Sequence, residues 1–143
     1  MRRVLFLAFV LAFVLVGCGG SGDTTVGVPP QATAIESSDN AQINTIITQL
    51  KQTVPQEMEA QKVKPETIEQ NVYRTTASLQ DVQNFYSGLT QKGWNHAHRI
   101  PGVQNNILYD SYSNGNTSLI VTAFDASALG GNGVIIYTAK GTT

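Results

Sequence analysis

The chain of 143 residues has one cysteine, one tryptophan and two histidines, and 13% of its residues are charged. A lone cysteine excludes a disulfide within the chain, so the fold cannot depend on oxidation. Charge of one sign is also scarce: the formal net charge is −1. A nucleic-acid binder would show a basic patch, and that class is set aside. There is no Gly-x-Ser-x-Gly elbow to expose a nucleophile and no internal repeat. The glycine-rich stretch LGGNGV, Leu129 to Val134, carries neither the Lys nor the Ser/Thr of a phosphate-cradling loop. It precedes a strand pattern rather than a helix and reads as a hairpin loop. The long apolar run, Val4 to Val16, has thirteen residues. A membrane-spanning helix needs about 20.

What is there at the front has another reading. Arg2 and Arg3 precede the apolar run, and Leu15, Val16, Gly17 and Cys18 end it. A charged n-region and an h-region of this length make a signal peptide. Leu-Val-Gly-Cys resembles the lipobox of bacterial lipoproteins. The resemblance implies a diacylglycerol on the Cys18 thiol, cleavage before Cys18, and palmitate-type acylation of the new amino group. Each buried methylene contributes ~0.8 kcal/mol, so two or three chains anchor stably where one does not. Residues 1–17 are then the signal peptide, and 18–38 the lipidated cysteine with a flexible tether rich in Gly, Ser, Thr and Pro. Residues 39–143 form a single domain. The mature chain would carry seven basic and ten acidic residues. Its address would be a membrane, by lipid anchor, on the extracytoplasmic side of a plasma or outer membrane.

The folded part alternates helix and strand periods. Ile43, Ile46, Ile47, Leu50 and Val54 make one helical stripe, with Asp39 as N-cap and Pro55 as its stop. Residues 66–77 alternate loosely and read as a polar edge strand. Ser78 and Asp81 form a capping box for a second helix with Leu79, Val82, Phe85, Tyr86 and Leu89 on its apolar face, ending at Gly93. Gly88 inside it predicts close packing or a local weakness. Strands follow at 94–100, 105–113, 116–125 and 134–140, the middle pair joined at Asn114-Gly115. This predicts an α+β fold: an antiparallel sheet of four or five strands, ending in a meander, packed against two amphipathic helices. The segment DVQNFYSGLTQKGW resembles small bacterial envelope domains of unassigned function, in which a Phe-Tyr…Leu…Gly-Trp helix feeds a meander. The resemblance extends over residues 66–140. It implies fold and envelope address, with no catalytic residue to carry over.

The chemistry-bearing residues are few. His96 and His98, at i and i+2 on a strand, share a face. Two imidazoles still need a third ligand to hold zinc. Asp110 or Asp125 could supply it, but the spacing does not require either. The reading is therefore no metal, no cofactor and no catalytic residue, with His96 and His98 as weak metal candidates. The hairpin offers more. Pairing Tyr109 with Ile120 and Leu108 with Val121 puts Leu108, Tyr112, Leu119, Val121 and Ala123 on one face. Ile107, Tyr109, Ile120, Thr122 and Phe124 fall on the other. Both faces are apolar, and the second helix can cover only one. The first helix is expected over the other. Whatever it leaves open, at Ile107, Tyr109, Ile120 and Phe124, is the candidate interaction face. The expected function is a non-catalytic, lipid-anchored binding or envelope-assembly module. Its partners would be membrane lipid through Cys18 and an envelope protein. The alternative is a small envelope enzyme or metal-binding protein using His96 and His98, favoured if the fold brings a carboxylate to them.

Overall fold

Gly115 sets the register of the sheet. In the computed structural model, which describes residues 23–100 and 102–143, Asn114 pairs with Thr117, leaving Gly115 and Asn116 as the two-residue loop. Gly115 has φ +56°, the left-handed glycine that a type II′ turn places first. The expected turn, one residue earlier, is thereby corrected. Tyr109 faces Thr122 rather than Ile120, and Leu108 faces Ala123 rather than Val121. Each partner moves by two positions. Side chains alternate with period two, so the assignment of residues to faces is unchanged.

The hairpin joins β4 (Ile107–Asn114) to β5 (Thr117–Asp125), and β6 (Val134–Thr142) continues the meander. β3 (Asn95–His98) adds one edge, while β2 (Glu69–Thr75) and the two-residue β1 (Thr33–Ala34) add the other. The antiparallel sheet has six strands in the order β1-β2-β6-β5-β4-β3, one more than the sequence suggests. The extra strand comes from the expected tether. Ile35 donates its backbone N–H to Val72, the Thr75 hydroxyl bonds the Pro30 carbonyl, and Val26 packs among Tyr86 and Leu119. The chain is thus docked on the domain from Asp23 onward, well before residue 39. Its scattered apolar residues find burial without any periodic pattern to announce them.

Helix α1 (Ala41–Ala60) and helix α2 (Leu79–Ser87) cover opposite faces. Ile43, Ile47, Val54 and Met58 of α1 pack on Val72, Ile120, Phe124, Ile135, Tyr137 and Ala139. Leu79, Val82 and Tyr86 of α2 pack on Leu108, Tyr112, Leu119, Val121, Ala123 and Ile136. The first helix therefore has the place expected of it, although its ends differ. Asn40, not Asp39, is the N-cap, accepting from the N–H groups of Gln42 and Ile43. Pro55 lies inside the helix. An interior proline costs ~3 kcal/mol. Burial of Met58 and Val63 beyond it, at 1% and 2% exposure, contributes ~1.5–3 kcal/mol each and offsets that cost.

The capping box at Ser78 is complete: Asp81 N–H bonds the Ser78 hydroxyl and Ser78 N–H bonds the Asp81 carboxylate. The α-helix ends at Ser87, and residues 88–92 tighten into a 3-10 turn closed by Gly93 at φ +85°. Nothing lies within 4 Å of a Cβ built on Gly88. That glycine marks the switch in helix type rather than a close contact.

Candidate functional site

Two places in the fold gather residues that packing alone does not explain. The first is a groove of about 470 Å³ beside α1. Its walls are Ile46, Leu50, Thr53 and Val54 of the helix and Ile107, Tyr109, Thr122 and Phe124 of the sheet, closed by Asn105, Asn106 and Leu129. It exists because α1 covers β6 and β5 and reaches β4 only at Tyr109, through Glu57, so that Ile107 stays 40% exposed. A small-molecule site is concave, ~300–1,000 Å³, mostly apolar, with a few placed polar groups. The groove has those properties. In its floor the hydroxyl of Thr122 is buried and makes no hydrogen bond. At its rim Asn105 and Asn106 both take positive φ, +51° and +61°, a conformation asparagine tolerates better than most residues. Beside Tyr109, Glu57 accepts the tyrosine hydroxyl's hydrogen bond and pairs with Arg99 at 2.6 Å. Burial, with Glu57 as acceptor, pushes the Tyr109 phenol well above its ordinary pKa.

Of the expected interaction face, Ile107, Tyr109 and Phe124 line this groove. Ile120 does not: at 2% exposure it is sealed beneath α1. Asp125 also lines the groove. The Ser127 hydroxyl first, and then the Ser127 backbone N–H, hold its carboxylate below the usual carboxylate range. The sequence reading missed Ile46, Leu50, Thr122, Glu57 and Arg99. The apolar stripe of α1 is wider than a single seam, and that was the available signal for Ile46 and Leu50. Alternation had put Thr122 on the right face without marking it as part of a site, and Glu57 and Arg99 had no local signal.

The second place is at the β3 edge. The register sets His96 opposite Tyr112 and His98 opposite Asp110, and alternation turns all four toward the α2 side. Asp110 is fully buried. Its Oδ1 lies 2.6 Å from His98 Nδ1 and its Oδ2 lies 3.1 Å from His96 Nε2. The Tyr112 hydroxyl bonds Oδ2 at 3.3 Å, and the Tyr112 ring stacks on His96 with centroids 4.4 Å apart. Burial, and secondarily the Asp110 charge, raises the Tyr112 phenol. Of the two carboxylates the sequence offered to His96 and His98, the fold brings Asp110 to them, while Asp125 lines the groove.

Cys18 and the signal segment lie outside the described residues. Among the described residues no helix is long and apolar enough to cross a membrane. Comparison with protein-family models, with curated proteins and with solved structures found no match for this chain. The functional reading therefore rests on the geometry.

Proposed function

We propose that this protein is a lipid-anchored, extracytoplasmic binding module that holds a small apolar ligand in the groove between α1 and β4. The observation that carries the reading is the groove: an apolar cleft of ligand size with one unpartnered hydroxyl in its floor. The ligand that fits is apolar over most of its length and carries one hydrogen-bonding group for Thr122. Among the described residues no nucleophile–base pair lines the cleft, which favours binding over turnover.

The anchor fits this role by position. Asp23 lies at the turn end of the sheet, where its carbonyl accepts from the Asn114 side chain. Cys18 precedes Asp23 by five residues in the sequence, a length of chain that spans at most ~18 Å. The groove opens at the opposite end, where Ile107 pairs with Phe124. Seven steps of strand separate the ends, ~24 Å at ~3.4 Å per step. The membrane would hold the turn end and leave the groove facing away, open to ligands arriving from outside. The anchor itself is tested by intact mass of the membrane-extracted protein, which should correspond to an acylated chain beginning at Cys18. An unmodified mass starting upstream rejects it.

For the groove, the neutral dye N-phenyl-1-naphthylamine is a suitable probe, since it is apolar and has one N–H. It should bind one to one with a rise in fluorescence. Ile107→Asp, which places a charge at the groove's exposed lip, should weaken it at least tenfold. Non-saturable fluorescence, or equal binding by Ile107→Asp with fold retained, contradicts the reading.

A further inference from the structure

We propose that His96, His98 and Asp110 form a binding site for a divalent first-row transition-metal ion of the zinc type. The proposal is independent of the groove, which lies on the other side of the sheet. Its first support is geometry. One ligating atom from each residue can be chosen so that all three lie within 4.8 Å of one another, and the closest nitrogen–oxygen pairs stand at 2.6 and 3.1 Å. Ligands at ~2.05 Å from a tetrahedral zinc are ~3.3 Å apart. To enclose an ion the 2.6 Å pair must open by about 0.7 Å and the widest ligand separation, at most 4.8 Å, close by up to about 1.5 Å, movements that side-chain rotation on an edge strand supplies.

The second support is an unmet need. His96 Nε2 is buried and makes no hydrogen bond, although a carboxylate oxygen is 3.1 Å away. A cluster built only as an ion pair would aim an N–H at that oxygen. Here the nitrogen stands close to the carboxylate without making that hydrogen bond, so it is free to ligate an ion. The third support is Asp110. Exposed acids gather without consequence, but this carboxylate has no solvent exposure. A buried charge is costly unless it is paired or coordinates a metal. Tyr112 holds two of the three members in place, by its stack on His96 and its hydrogen bond to Asp110.

The donor set selects the ion. Imidazole suits zinc, copper, nickel and iron, whereas calcium and magnesium prefer all-oxygen sites. Three protein ligands leave a position to fill. The His98 side chain is 42% exposed, so that position would face solvent at the sheet edge. Such an open site is the arrangement of zinc centres that bind water or a further ligand.

The test is calorimetric titration of tag-free, chelator-stripped protein with zinc chloride. The expected result is one site with micromolar or tighter affinity. Tetrahedral cobalt bands should be seen when Co²⁺ is used instead. His98→Ala, at a half-exposed side chain, should fold normally and weaken binding at least tenfold, as should His96→Gln. Asp110→Asn should do the same where circular dichroism shows it folded. Millimolar or weaker binding by the native protein overturns the proposal and leaves a structural His–Asp cluster. So does zinc affinity that survives in the folded His96→Gln, His98→Ala double variant.

Discussion

Thr122 combines two demands that ordinary packing would not accept together. It sits in the strand next to Tyr137 and Tyr109 with its hydroxyl buried and unbonded. A buried polar group without a partner costs roughly 1–3 kcal/mol. Valine has nearly the same shape and no such group. Thr122→Val should therefore leave the free protein as stable or raise its melting temperature, while weakening a ligand that hydrogen-bonds there. Thermal unfolding and dye binding on the same variant check both halves. Loss of stability would mean that the hydroxyl has a partner in solution. Gly133 shows the reverse case, a residue kept by its surroundings. Its φ is +72°, and a Cβ there would lie 2.4 Å from the Thr75 carbonyl oxygen. Gly133→Ala should destabilise by more than ~1 kcal/mol in denaturant titration, since backbone strain and a backbone clash both oppose it.

The two helices make different claims. For α1 the claim is that it belongs to the core. Ile43 is fully buried and meets Gly131 closely enough that a Cβ on that glycine would lie 2.5 Å from its Cδ1. Ile43→Ala should cost ~2–5 kcal/mol, read by denaturant unfolding. A cost below 1 kcal/mol would show α1 to be peripheral and the groove to lack a firm wall. For α2 the claims concern its ends. Ser78→Ala should cost ~1 kcal/mol. The Ser78 hydroxyl and backbone N–H hold the Asp81 carboxyl below its ordinary value. The unfolded chain therefore binds a proton more readily than the folded one. That contribution is complete above the ordinary carboxylate range and is lost as pH falls through the lower folded value. The gap between Ser78→Ala and the native protein should accordingly shrink in strong acid. Gly88 has helical dihedrals and free space around it, so Gly88→Ala should stabilise by up to ~1 kcal/mol. The measure is the denaturant midpoint.

At the scale of the molecule, what was legible in the chain was what repeats locally. The stripe at Ile43, Ile47 and Val54, the capping box at Ser78 and the alternation along β4 and β5 each announce their element and the face it buries. What was not legible depends on residues far apart in sequence. Pro55 reads as a stop because Met58 and Val63, whose burial carries the chain past it, are covered by β2 and β6 residues such as Val72, Tyr137 and Ala139. Thr33 and Ala34 carry no strand pattern, and only the exposed edge of β2 makes them one. The groove was half legible. Ile107, Tyr109 and Phe124 follow from alternation, but which of them α1 would seal depends on where that helix crosses the sheet. Ile120 was sealed, and Thr122 became the floor. The Asp110 carboxylate came to His96 and His98 through strand pairing that spacing alone could not supply.

The central claim is that the groove beside α1 is the binding site, and methyl NMR tests it most directly. Isoleucine and leucine methyls would be followed while N-phenyl-1-naphthylamine is added. The account predicts saturable shifts confined to Ile46, Leu50, Ile100, Ile107 and Leu129, with Leu108 and Leu119 on the α2 side unmoved. Shifts spread over both faces, or confined to the α2 side, would contradict it.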